Sequence, residues 1–156
     1  MLHVFDTSSL RVLSNYYPDR FRSFWHRFDD AVDKGMVVSV REVHNEIENQ
    51  ITKEWFRDWV KSHRAMFLTP GAEETSFVAR IFSVVHFQTL VGETQRLKGQ
   101  PVADPFVIAC AHVLQGTVVT EELRKPNAAK IPNICEHFGV RCTNVEGFLA
   151  DHGWEF

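Results

Sequence analysis

Three short apolar runs in this chain are each followed at once by acids. Asp6 follows residues 2–5, Glu42 and Glu46 follow 36–40, and Glu121 and Glu122 follow 117–120. A fourth acid, Asp104, stands near the start of the apolar stretch Val102-Ala103-Asp104-Pro105-Phe106-Val107-Ile108. If the runs are strands of one parallel sheet, their carboxyl ends face one edge, where open α/β sheets bind ligands. Carboxylates gathered there repel one another and raise each other's pKa, and a divalent cation removes that repulsion. Hard oxygen donors select Mg²⁺ or Mn²⁺, ions that also bind phosphates. The chemistry implied is metal-assisted phosphodiester hydrolysis. Asp6, Glu46 and Asp104 are the expected metal holders, and Glu122 completes the site or orients water. Ser8 and Thr120 would supply hydroxyls to ligands or waters. Glu42 lies four residues before Glu46 on the same side of a helix and is an alternative second acid. Glu121 stands beside Glu122 as its alternative.

Each of these residues also has a plainer reading. Asp is a favoured N-cap, so Asp104 caps a helix with Pro105 in its first turn. Thr7, Ser8 and Ser9 form a hydroxyl-rich turn able to cap a helix over 10–15. Glu42 and Glu46 suit the positive end of a helix dipole. What favours chemistry is the recurrence of acids at strand ends rather than any one of them.

The positioning elements follow from periodicity. Strands are expected over 2–5, 36–40, 117–120 and 140–143. Phe21, Phe24, Trp25, Phe28, Ala31 and Val32 mark an amphipathic helix over 19–34, stopped by Gly35. Val43, Ile47, Ile51, Trp55 and Trp59 step by four and predict one long helix. Another is expected over 72–90 after Thr69-Pro70-Gly71. A loop over 92–100 leads to Pro101, from where it could cover the site. The stretch from 102 to 113 reads as a helix apolar almost all round, with His112 as a satisfied core histidine and Gly116 as its end. Short helices over 131–138 and 145–152 complete the chain. Strands alternating with helices give an α/β fold: a three-layer α/β/α sandwich around a parallel sheet of about four to five strands.

The 156 residues suffice for one domain, 1–156, with a core that needs no disulfides. Apolar residues make up 44% and charged residues 24%, which excludes a disordered or fibrous chain. A net charge of −3 argues against binding nucleic acid by bulk charge. Local cations remain: Arg57, Lys61 and Arg64, and, as weaker substrate contacts, Arg124 and Lys125. Cys110, Cys135 and Cys142 are odd in number and unpaired in spacing, which fits reduced thiols. No signal peptide or spanning segment is visible, so no membrane association and a cytoplasmic location are expected. Phosphate-loop, HExxH and GxSxG signatures are missing, and Cys135, His137 and Cys142 make a poor zinc set.

Four segments, in order, resemble the motifs of PIN-domain nucleases: Val4-Phe5-Asp6-Thr7-Ser8-Ser9-Leu10, Val43-His44-Asn45-Glu46-Ile47, Ala103-Asp104-Pro105-Phe106-Val107-Ile108-Ala109 and Val118-Val119-Thr120-Glu121-Glu122. The ending, from Ile131-Pro132-Asn133-Ile134-Cys135 to Gly153-Trp154-Glu155-Phe156, is similar to a bacterial and archaeal branch with an extended C-terminal part. The resemblance implies a Mg²⁺- or Mn²⁺-dependent endoribonuclease, often the toxin of a toxin–antitoxin pair, with RNA as substrate and a cognate antitoxin as partner. Dimers are common in that family, so a homodimer is a further expectation. Asp6, Glu46 and Asp104 match the family's first three acids. The fourth is usually Asp two residues after Thr, and here it is Glu122. That departure keeps a non-catalytic PIN-like interaction module, binding RNA or a protein, as the alternative. A DNA or flap-type nuclease ranks third.

Overall fold

A computed structural model describes residues 1–90 and 102–156. The expected loop over 92–100 lies outside them. Five parallel strands form one sheet: β1 (His3–Phe5), β2 (Val37–Val40), β3 (Phe67–Leu68), β4 (Thr117–Val119) and β5 (Arg141–Thr143), in the order β3-β2-β1-β4-β5. His3 is level with Val37 on one side and Thr117 on the other. β1, β2 and β4 are buried at every residue, so both faces of the sheet are covered and the layers number three.

Among the described residues the helices are α1 (Thr7–Leu13), α2 (Arg22–Asp33), α3 (Arg41–Gln50), α4 (Glu54–Ser62), α5 (Ala72–Ser83), α6 (Ala103–Leu114), α7 (Ile131–Phe138) and α8 (Val145–Asp151). Phe28 of α2 and Phe148 of α8 meet the ring of Phe5 edge-on, at 5.4 and 5.0 Å. α6 packs on β1, β2 and β4 and is walled in by α3, α5 and α7. None of the described helices is long and apolar enough to cross a membrane.

Several boundaries differ from expectation. The long helix over residues 43–59 is two, because Ile51 and Lys53 are extended (ψ 124° and 113°). Burying the β-branched Ile51 ends α3, and Arg57 Nη1 donates to the freed carbonyls of Glu48 and Ile51 at 3.1 and 3.3 Å. The helix over 72–90 stops at Ser83, where Val84 turns extended, and resumes as a 3₁₀ segment, Val85–Leu90. β3, only two residues long, pairs through Ser39 and Val40 and was not expected. His112 is not a core histidine: it is exposed and stacks on Phe77 at 4.0 Å. Nor does Gly116 close α6, since Gln115 takes the left-handed cap at φ 54°. Gly116 is needed for closeness, because a Cβ there would lie 2.9 Å from the Leu2 carbonyl oxygen at the start of β4.

The sheet order reverses between β1 and β4. β1 runs outward through β2 to β3, whereas β4 and β5 extend the other way. The crevice beyond these two strands' carboxyl ends is the topological switch point.

Candidate active site

Asp6 ends β1 at that crevice. Its backbone N–H donates to the Val119 carbonyl at 3.1 Å, tying it to β4, and its side chain caps α1 by accepting from Ser9 N at 2.8 Å. α1 therefore starts at Thr7, three residues earlier than expected, and the cap is Asp6 rather than the hydroxyls after it. Ser8 Oγ donates to both Asp6 oxygens, at 2.9 and 2.8 Å, and Thr120 Oγ1 donates to Oδ2. Both hydroxyls are thus spent on Asp6. Ser8 Oγ also accepts from Glu121 N at 3.0 Å and Thr120 Oγ1 from Glu122 N at 3.1 Å, so Asp6 organises the turn after β4 as well. Asp6 is 3% exposed, and these donors offset the cost of burying it.

Asp104 is the second residue of α6, and Val102, extended at ψ 134°, takes the cap position. Asp104 makes no capping hydrogen bond, so the expected cap is instead an acid in the first turn of α6. Burial first, then the carboxylates of Glu122, Asp6 and Glu46, push it up to about 8, with Lys130 opposing. The four acids therefore act on one another at this edge.

Glu46, six residues into α3, reaches across to the first turn of α6. Its Oε1 accepts from Ala103 N at 3.2 Å and its Oε2 from Thr7 Oγ1 at 2.5 Å. Glu122 does the same for α7, accepting from Ile131 N at 2.9 Å, and Glu121 for α8, accepting from Val145 N at 2.8 Å. Negative side chains at helix N-termini are electrostatically favourable, so each acid is fixed by a helix other than its own. Glu42 stands apart. It is 1% exposed and pairs with Arg41 at 2.8–2.9 Å, and it is not among the charges acting on Asp104. Of the two alternatives on α3, Glu46 faces the crevice.

Residues 3–156 match the family described as "Domain of unknown function (DUF4411)". The chain belongs to the DUF4411 family. No curated protein matches the sequence. Among solved structures, the chain is similar to a crystal structure of VapBC2 from Rickettsia felis bound to a DNA fragment from their promoter, with a TM-score of 0.48 and 15% identity. That likeness covers 92% of this chain and 98% of the other.

In this DUF4411 chain the crevice is a cleft of about 340 Å³ lined by Thr89, Asp104, Glu122, Ala129 and Lys130. Among the described residues, no three His, Cys, Asp or Glu side chains already form a group able to hold an ion. The donor set nevertheless fits a hard divalent cation. It is all oxygen, and Asp104 brings a carboxyl group that lacks a capping partner into the field of three other acids. Asp6, Glu46 and Glu122 are preoriented, though their oxygens are shared with Ser8, Thr7 and the N-terminus of α7.

The cations named from sequence lie elsewhere. Arg124 pairs with Glu136 at 2.5 Å, and Lys125 is braced through its backbone by Asn133, whose Nδ2 donates to its carbonyl at 2.6 Å. Arg57 and Arg64 donate to backbone carbonyls, Arg64 to Phe67 O at 3.1 Å. Lys130 lines the cleft instead and was missed. The only signal for it was its place before the Ile131-Pro132 helix start. Cys135 and Cys142 line a neighbouring groove of about 530 Å³, while His137 packs edge-on to Phe87, so the three do not converge as a zinc set.

Proposed function

We propose that this chain is a divalent-cation-dependent endoribonuclease that hydrolyses RNA phosphodiester bonds. The observation that carries the reading is Asp104, partly buried and without a capping bond, facing Asp6, Glu46 and Glu122 at the switch point of a parallel sheet. Such a group of acids is electrostatically unfavourable unless a cation joins it. Asp104, Asp6 and Glu46 would hold Mg²⁺ or Mn²⁺, which when bound supplies a Lewis acid that activates water and offsets charge building on the phosphate. Ser8 and Thr120 orient Asp6. Glu122, held by α7, would serve as a base or a further ligand. The resemblance of the four motifs to PIN-domain nucleases supports RNA as substrate and a toxin's role, with a small antitoxin as partner.

The test is cleavage of a mixed RNA pool by purified protein with Mn²⁺, with Asp6→Asn and Asp104→Asn as controls. Loss in both variants supports the reading, and equal cleavage by all three proteins refutes it. Co-expression with a small neighbouring reading frame that restores growth supports the toxin assignment.

A second reading, a non-catalytic PIN-like module that binds RNA or a protein, is favoured by one observation. Glu46 uses both oxygens and Glu122 uses one to fasten helix ends or α1, as scaffold residues would. A protein that binds no Mn²⁺ at millimolar concentration but still binds RNA would establish it.

A further inference from the structure

We infer that Lys130 is the phosphate-binding residue of this site, docking a backbone phosphate of an RNA strand against the acids of the cleft. This deepens the proposed ribonuclease reading and rests on it. Glu122 Oε2 accepts from Ile131 N at 2.9 Å, so the segment from 123 to 130 leaves the carboxyl edge of β4 and is pulled back to where it started. Its middle is turned outward. There Arg124 is neutralised by Glu136, and Asn133 clamps the Lys125 backbone through both its carbonyl (2.6 Å) and its N–H (3.4 Å). Its end is turned inward. Lys130, the N-cap residue of α7 with an extended backbone (ψ 159°), is returned to the cleft beside Glu122 and Asp104.

Lys130 is exposed, and no ion pair among the described residues engages it. Yet its charge reaches Asp104. A cation placed at a group of acids, without an ion-pair partner among the described residues, can bind an anion that a divalent ion also binds. The phosphodiester fits both, since the lysine takes one oxygen as a point charge while the acids meet the strand through the ion. Thr89 also lines the cleft, and the polar lining suits a backbone rather than an apolar ligand. The net charge of −3 makes such a local contact more necessary, because the surface as a whole repels a polyanion.

The test compares the full-length protein with Lys130→Met, Lys130→Arg and Lys34→Met. The last removes the same charge at the end of α2, which leads into the amino edge of β2. Binding of a fluorescent single-stranded RNA is followed by anisotropy in Ca²⁺ across a salt series, and cleavage in Mn²⁺. Lys130→Met is expected to weaken binding about tenfold and to lower the slope of log K against log salt by about 0.7, the share of one single-strand phosphate contact. Lys130→Arg keeps most of both, and Lys34→Met leaves the slope as in the wild type. Calorimetric Mn²⁺ binding in the absence of RNA is retained in Lys130→Met. If Lys130→Met matches the wild type in slope and affinity while the wild type binds and cleaves RNA, the assignment of Lys130 is wrong and the nuclease reading stands. If the wild type itself neither binds nor cleaves RNA, both are overturned.

Discussion

β1 is only three residues long, and its two ends show opposite ways of burying polar groups. At the amino end His3 is fully buried, its Nε2 lies 3.0 Å from Asp151 Oδ2, and its ring meets Phe148 edge-on at 5.0 Å and His152 at 5.1 Å. Burial lowers the pKa of both histidines and so favours their neutral forms. At the carboxyl end Asp6 is also enclosed, with Ser8, Ser9 N and Thr120 donating to it, but Asp6, Glu46 and Glu122 all act on a fourth acid, Asp104. The amino end gives His3 Nε2 a partner within the protein, in Asp151, while His3 Nδ1 and His152 Nε2 are buried without one among the described residues. The carboxyl end leaves one acid, Asp104, whose charged form is favoured, among the described residues, by Lys130 alone. On the proposed function, the first end serves stability and the second a ligand.

The largest expected effect is at the carboxyl end. On the proposed function, Asp104→Asn should reduce RNA cleavage by on the order of 100-fold or more, as loss of a residue that would hold the activating cation does. The same variant should be more stable than the wild type without metal, by up to about 4 kcal/mol at pH 7 given a pKa raised from 3.8 to about 8. Denaturant midpoints with EDTA present would show it. His3→Ala should do the reverse. It removes a fully buried side chain and costs about 2–4 kcal/mol in the same assay, while the folded fraction keeps its cleavage rate.

The pH dependence sharpens the comparison, because the two ends have opposite signs. An acid whose folded pKa is raised retains its proton when the unfolded chain has lost it. Asp104 therefore makes metal-free stability fall from about pH 4 to about pH 8. A histidine whose folded pKa is lowered favours the folded state above its ordinary value, 6.5, and that stability is lost as pH falls below it. Asp104→Asn should abolish the first slope, and His152→Gln should weaken the second. The smallest expected effect is thermal. Saturating Mn²⁺ should raise the wild-type melting point, with about 2.7 kcal/mol at a hundredfold excess over Kd, and leave Asp104→Asn unmoved.

Much of the architecture was legible because β-branched runs such as Val37-Val38-Ser39-Val40 and the aromatic spacing of α2 carry strong periods. The acids were legible as strand-end residues. Their division of labour was not, because it depends on distant backbone groups. Glu121 and Glu122 are neighbours in sequence, yet one fastens the start of α8 and the other that of α7. Glu42 and Glu46 share a side of α3, but the first turns to Arg41 and only the second reaches α6. The break at Ile51 was hidden because α3 and α4 happen to continue the same four-residue step. Lys130 looked no different from Lys125 until the Glu122 bond closed the loop between them.

The central claim is that Asp104 keeps its proton until a divalent cation replaces it. Calorimetric titration of Mn²⁺ at pH 7, repeated in buffers of differing ionisation enthalpy, counts the protons released on binding. The account predicts close to one proton per bound ion in the wild type and none in Asp104→Asn. Binding with no proton release, or the same release in both proteins, would contradict it.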